Sequence, residues 1–251
     1  MDTKTSATKG IPKPKEVRRD HFHAILPVDK PSGMTSHDVV ARIRGRFGFK
    51  KVGHGGTLDP MATGLLIILL GRKCTRLSQD IMGGDKSYEG QMRLGIATNT
   101  QDCDGEIVSE GDPSGITAEM IEAEMAKWRG DIQQIPPMVS AIKMNGVPLY
   151  KLARKDKEIE REPRLRHVYA FELLDYHPPL ANFRLKCTKG TYVRTLCADI
   201  GESLACGAHL AALRRTASGG FSIESATPLK EILQMDLDQL ESLALPPTTA
   251  I

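Results

Sequence analysis

Residues 52–71 read VGHGGTLDPMATGLLIILLG. In the second half, the six apolar residues Leu65 to Leu70 lie between Gly64 and Gly71. That run is too short for a helix of its own and reads as a strand buried on both faces. In the first half, Gly53, Gly55 and Gly56 place three glycines in four positions. Glycine lets the backbone take left-handed conformations and lets a ligand approach closely. Asp59 precedes Pro60, which disfavours helical geometry and lets the carboxylate project from a turn. An Asp-Pro pair is equally an ordinary helix N-cap with proline at the first helical position, and the local pattern does not choose between the two. A phosphate-binding loop fails on detail, because the Gly-Lys-Ser/Thr ending is missing.

Upstream, residues 24–30 (AILPVDK) read as an apolar strand closed by the turn former Pro31-Ser32-Gly33. Ser36 is placed to cap a helix whose apolar positions are Val39, Val40, Ile43 and Phe47. Residues 42–51 carry five basic side chains and no acidic one, a solvated face or a phosphate-binding one. Downstream, residues 86–94 (KSYEGQMRL) alternate as a half-buried strand with Tyr88, Met92 and Leu94 inward. NTQDCDG (99–105) is a loop of turn formers, and Thr117 caps a helix with Ile121, Met125 and Trp128 on its core face.

Asn145-Gly146 marks a loop or hairpin, and the mixed-charge segment 151–166 reads as a mobile arm. Strands follow at 168–176 and 181–190, then a strand-to-helix turn at 189–204 and a return to strand at 207–221. Thr227-Pro228 reads as a cap and first-turn proline opening a last helix. Strands and helices mix without strict βαβ alternation. The expected fold class is α+β, with a mixed, largely antiparallel central sheet flanked by helices.

The 251 residues include 34 Lys+Arg, 31 Asp+Glu and 40% hydrophobic residues, a balance that excludes collagen-like, coiled-coil and largely disordered chains. No apolar run exceeds six residues, where a membrane span needs about 20. The net charge of +3 resides in residues 1–20, which hold six basic and three acidic groups, so net charge alone names no partner. Residues 1–22 read as a flexible basic tail ahead of one domain, 23–251. The five cysteines form no CxxC pair and no Cys/His ligand spacing, which points to reduced thiols, no metal site and a cytoplasmic location.

Single residues say less. Arg194 falls in the first turn of its helix, where a cation is disfavoured by the helix dipole unless an anion pairs with it. Tyr88 on an apolar strand face is by default a core tyrosine, and His54 among glycines a loop histidine.

Together, HGGTLDPMATGLL, the preceding VDKPSGMTSHDVV, the following KSYEGQMRLGIATNTQDCDG, RGDIQQIPPMVSAIKMNGVPLYKLAR and CTKGTYVRTLCADIGESLACGAHLAALRRT closely resemble the TruB family of tRNA pseudouridine-55 synthases. The resemblance runs colinearly over about 25–216. It implies the pseudouridine synthase fold and isomerisation of the T-loop uridine of tRNA without cofactor or metal, by an enzyme expected to be monomeric. It puts the essential carboxylate on Asp59, its arginine partner on Arg194, and the aromatic that stacks on the flipped uracil and assists proton movement on Tyr88. His54 matches the histidine at the site of the displaced base, Lys30 the lysine of the first motif, and Leu213 a leucine of the uracil pocket. Gly55 and Thr57 belong to the substrate-binding stretch. Residues 131–164 match an RNA-gripping thumb, and the basic residues at 42–51 become expected phosphate contacts.

Family members usually continue into a C-terminal RNA-binding domain related to PUA. Only 35 residues follow Thr216, so that domain is expected to be absent, with the basic tail compensating through phosphate attraction. The resemblance leaves open whether Asp59 attacks C1′, adds to the base or starts an elimination. A non-catalytic RNA chaperone, a nucleotide-binding enzyme and a synthase for another RNA are the competing readings. Intact Asp59, Tyr88 and Arg194 weigh against the first, and the missing Lys-Ser/Thr against the second.

Overall fold

The computed structural model describes residues 22–76, 83–138, 143–144, 147–148 and 161–247. Apart from Phe22, the expected tail lies outside the described residues, as does most of the middle of the expected thumb. Among the described residues the strands are β1 (Ala24–Lys30), β2 (Val52–His54), β3 (Thr63–Leu70), β4 (Lys86–Leu94), β5 (Ile96–Thr98), β6 (Ile107–Glu110), β7 (Gly130–Gln134), β8 (Lys143–Met144), β9 (Val147–Pro148), β10 (Arg164–His177), β11 (Leu180–Cys187), β12 (Ala208–Ser218), β13 (Phe221–Ser222) and β14 (Thr227–Pro228). The helices are α1 (Ser36–Phe47), α2 (Gly71–Arg76), α3 (Ala118–Lys127), α4 (Val193–Ser203), α5 (Leu229–Ile232) and α6 (Leu237–Leu243). None is long and apolar enough to cross a membrane.

The main sheet runs β14-β1-β3-β12-β4-β11-β10-β7, with β2 and β13 on its margins. Only β1 with β14 and β3 with β12 are parallel; the other pairs are antiparallel. The expected mixed, largely antiparallel α+β sheet is what forms. β3 is unbroken in its apolar run from Leu65 to Leu70 because it has a core on each side. Leu66, Ile68 and Leu70 join the larger cluster with the apolar faces of α1 and α4, whereas Leu65, Ile67 and Leu69 pack with Ile25, Cys74 and Phe221 on the other face. β4 alternates as read, with Tyr88, Met92 and Leu94 buried. The hairpin expected around Asn145-Gly146 is present as β8 paired with β9.

Three local readings change. Thr35, not Ser36, caps α1, in a capping box with Asp38. Ser36 is buried, donating from Oγ to the Leu58 carbonyl (3.1 Å) and accepting from the Leu58 N–H (2.8 Å). A helix does open right after Thr227-Pro228, but it is the four-residue α5, with Pro228 rather than Thr227 at its N-cap position and no side-chain cap. Thr227-Pro228 also pairs parallel with Val28 and Asp29 of β1, and the last helix, α6, is capped by Asp236. Arg46, within the basic set at 42–51, donates to the Leu233 (2.8 Å) and Met235 (2.5 Å) carbonyls and so closes the end of α5. Carbonyls at the end of a helix lack an intrahelical donor, and a side chain can supply it.

Candidate active site

The Asp59 loop is held from two sides. On one, the Lys30 ammonium is fully buried and donates to the carbonyls of Pro31 (2.9 Å), Met34 (2.7 Å) and Pro60 (3.3 Å). Gly33 N–H donates to the Pro60 carbonyl (3.0 Å), Ser32 to that of Met61 (3.1 Å), and Ser36 grips Leu58. On the other, Arg215, only 1% exposed, donates to the carbonyls of Leu65 (2.7 Å), Gly56 (3.1 Å) and Thr57 (3.3 Å). Asp59 itself forms a turn rather than a helix start, with its carbonyl accepting from Ala62 N–H (3.1 Å). Of Gly53, Gly56 and Gly64, it is Gly64 whose added Cβ would run into backbone. Its φ is +94°, and a Cβ there would sit 2.4 Å from the Arg215 carbonyl oxygen, where β3 meets β12.

The anion that Arg194 requires is present twice. Its Nη1 lies 3.5 Å from Asp59 Oδ2 and 3.3 Å from Asp102 Oδ2. Arg194 and Asp102 are 4% and 5% exposed in their side chains, and Asp59 39%. Asp102 is aimed by its own loop: its Oδ1 accepts from Thr100 Oγ1 (2.6 Å) and Asp104 N–H (3.2 Å). That loop is stitched to the rest by Leu210 N–H to the Gln101 carbonyl (3.0 Å), Cys103 N–H to the Leu210 carbonyl (3.1 Å) and Thr195 to the Gln101 side chain (2.8 Å). Burial raises the Asp59 pKa, Arg194 opposes this, and the nearby charges of Asp102 and Asp104 add to the rise. The arginine therefore fixes the direction of a carboxylate whose ionised form is kept energetic, a useful state for a group that must react or stabilise positive charge.

These groups face a cavity of about 420 Å³. Tyr88, Leu213, Lys86 and Arg215 line it as well. Tyr88 is 8% exposed and stands opposite Arg215 in the β4–β12 pair. Burial pushes the phenol up to about 12, so it is a neutral hydroxyl at ordinary pH. Thr57, Asp59, Tyr88, Arg194 and Leu213 thus line one cavity. Lys30, His54 and Gly55 do not: Lys30 braces the loop from behind, the Gly55 N–H pairs with Ile67 of β3 (2.8 Å), and His54 sits on β2 with Nδ1 buried and given no hydrogen-bond partner. Burial, then the charges of Arg215 and His37, lowers the His54 pKa and favours its neutral form. Among the described residues no cluster of three or more His, Cys, Asp or Glu could hold a metal.

Sequence reasoning missed Asp102, Arg215 and Lys86. Arg194 announced that a carboxylate was needed, but nothing local distinguishes Asp102 from Asp104. Arg215 sits in a strand beside Arg214, and the alternation of that strand was the available signal: Leu213 and Arg215 share the inner face, while Arg214 pairs with Asp29 on the other (2.7 Å).

Residues 44–193 match the family model of the TruB family pseudouridylate synthase N-terminal domain, and residues 194–251 that of the tRNA pseudouridylate synthase B C-terminal domain. The tRNA pseudouridine synthase B of Opitutus terrae is 52% identical, over 91% of this chain and 94% of that one. Among solved structures, a chain of a Cbf5-Nop10-Gar1 complex is 31% identical with a TM-score of 0.72, covering 99% of this chain and 68% of that one. An H/ACA RNP bound to a substrate RNA containing 2'-deoxyuridine has a chain 28% identical with a TM-score of 0.68, covering 99% and 67%. With the family model matching more than half of its length and a relative 52% identical over most of both chains, the chain belongs to the TruB family of pseudouridylate synthases.

Proposed function

We propose that this enzyme converts uridine 55 in the T-loop of tRNA to pseudouridine, by breaking the N1–C1′ bond, turning the uracil and joining C5 to C1′. The observation that carries the reading is the Asp59 carboxylate held 3.5 Å from a buried arginine at the wall of a cavity with room for a nucleobase and its sugar. A base in a folded T-loop must leave its stack before such a group can reach its sugar. Asp59 then faces C1′, where positive charge develops. Arg194, tied to Asp102 as well, keeps that carboxylate aimed. Tyr88 stacks on the extruded uracil and handles the proton at C5. Leu213 supplies apolar contact to the base. Gly55 and Thr57 belong to the backbone the ribose approaches. Neutral His54, with Nδ1 given no protein partner, meets the RNA where the base has left. Lys30 is a brace. Residues 131–164 grip the T-arm, and the tail at 1–22 adds phosphate attraction. The enzyme works as a monomer in the cytoplasm, where tRNA is modified.

The test is an unmodified tRNA transcript incubated with the enzyme alone, with pseudouridine mapped along the whole RNA. Product at the T-loop uridine, abolished in Asp59→Ala, is the expected result. Product at another uridine would refute the site, and tight binding without product would favour a chaperone.

A further inference from the structure

Gln134, the last residue of β7, falls in the stretch expected to grip RNA, yet it is only 3% exposed. Its side-chain amide makes two hydrogen bonds to the main chain of one residue. Oε1 accepts from the Tyr192 N–H (2.7 Å), and Nε2 donates to the Tyr192 carbonyl (3.1 Å). An amide can do both, whereas an ionised carboxylate only accepts and an ammonium only donates. Tyr192 is the N-cap residue of α4, and its own side chain makes no cap. The start of that helix is therefore held from outside, by a strand. β10, which pairs with β7 at Arg164 and Gln134, adds a second grip through Arg166 Nε to the Gly190 carbonyl (3.0 Å). The first turn of α4 is also tied to the Asp102 loop, by Thr195 to the Gln101 side chain (2.8 Å) and by Arg194 to Asp102. Arg194 extends toward Asp59 from this same turn, and the Tyr192 ring lies 5.8 Å from its guanidinium carbon.

We propose that Gln134 is a positioning residue for the reaction: by fixing the main chain of Tyr192 at the start of α4, it sets the reach of Arg194 to Asp59. This rests on the pseudouridine synthase reading. Gln134 is too buried to meet the RNA, so its effect passes through the helix. Arg194 Nη1 stands 3.5 Å from Asp59, and ion-pair contact ends at about 4 Å. A retreat of the helix start by about 1 Å would open that contact, and a misplacement of this size can cost about 100-fold in rate. Without the amide, the Tyr192 N–H, at a helix end where no intrahelical acceptor exists, loses its partner.

The experiment measures single-turnover rates across pH, and RNA affinity, on unmodified T-arm RNA. It compares wild type with Gln134→Met, which keeps the side-chain length and loses both hydrogen bonds. The rate at saturating RNA is expected to fall about 10- to 100-fold, with RNA affinity unchanged. The acid limb of the pH–rate profile should move up by about one pH unit, because Arg194 favours the ionised form of Asp59. The other charged groups around Asp59, which are Asp102, Asp104 and Lys30, are the same in both proteins. In an Arg194→Lys background the substitution should cost much less than in wild type, since its effect passes through Arg194. A lower Tm with an unchanged rate would make Gln134 structural only and overturn the proposal. So would a rate loss without the shift of the acid limb, weaker RNA binding with an unchanged saturated rate, or full additivity with Arg194→Lys. Should Gln134→Met fail to fold, Gln134→Glu, which at neutral pH keeps the acceptor and loses the donor, decides by its rate, its RNA affinity and its coupling to Arg194→Lys. A wild-type enzyme that makes no pseudouridine would instead refute the proposed function itself.

Discussion

Asp59 illustrates how a residue is made reactive at the expense of the fold. Its folded pKa lies above its unfolded one, because burial outweighs the pull of Arg194. The folded state therefore holds the proton more tightly, and this group's contribution to stability falls as pH rises from the ordinary carboxylate range through the folded pKa. Activity has the opposite dependence, since the ionised form is the working one. Asp59→Asn is expected to leave less than roughly a hundredth of the turnover while keeping RNA affinity. Thermal melts should show its Tm gaining on wild type as pH is raised. A Tm that drops at high pH would contradict the assignment. Asp102 is 5% exposed and bound to Arg194, Thr100 and Asp104. Asp102→Ala removes one partner of a buried ion pair and should cost about 3–5 kcal/mol in urea unfolding, as well as turnover. At this scale the sequence was partly legible. Arg194 declared its need for an anion, whereas Asp102 and Arg215 belong to the site only through contacts between residues about 90 and 150 positions apart.

The turn into α1 shows how much an element can carry. Thr35 and Ser36 are neighbours of similar chemistry with separate tasks, one closing the capping box and the other holding Leu58. Local pattern gave a serine cap because both residues are good caps, and only tertiary contact with the aspartate loop separates them. Thr35→Ala should cost about 1 kcal/mol of stability and leave kcat unchanged. Ser36→Ala should cost a similar amount, about 1–3 kcal/mol, and also lower kcat, because the carboxylate loop loses a clamp. Equal kcat values for the two variants would show that the clamp is not felt at Asp59. The Thr227-Pro228 misreading has the same root: a strand of two residues pairing with β1 has no periodicity to detect.

Across the whole molecule, the alternation of β4 and the unbroken apolar run of β3 made the sheet class readable, because each reports which faces are covered. The order of strands was not readable, since pairing joins segments far apart in sequence. The same distance effect reassigns Arg46. A phosphate contact would contribute about one unit to the salt dependence of RNA binding. Arg46→Ala is expected to leave that slope unchanged and to lower Tm instead, because the Leu233 and Met235 carbonyls lose their donor. A reduced slope would return Arg46 to the RNA interface.

The place of β12 between β3 and β4 sets a condition on biosynthesis. Both neighbours leave the ribosome more than a hundred residues before the strand that joins them. Until it arrives, the Thr63–Gly64 end of β3 and the edge of β4 that β12 covers lack their partner, whereas Ile68–Leu70 can already pair with both β1 and β2. Long-range closure of this kind is slow, so synthesis past Ser218, and not the completion of any earlier segment, is the event that both joins β3 to β4 and brings Arg215 to the catalytic loop.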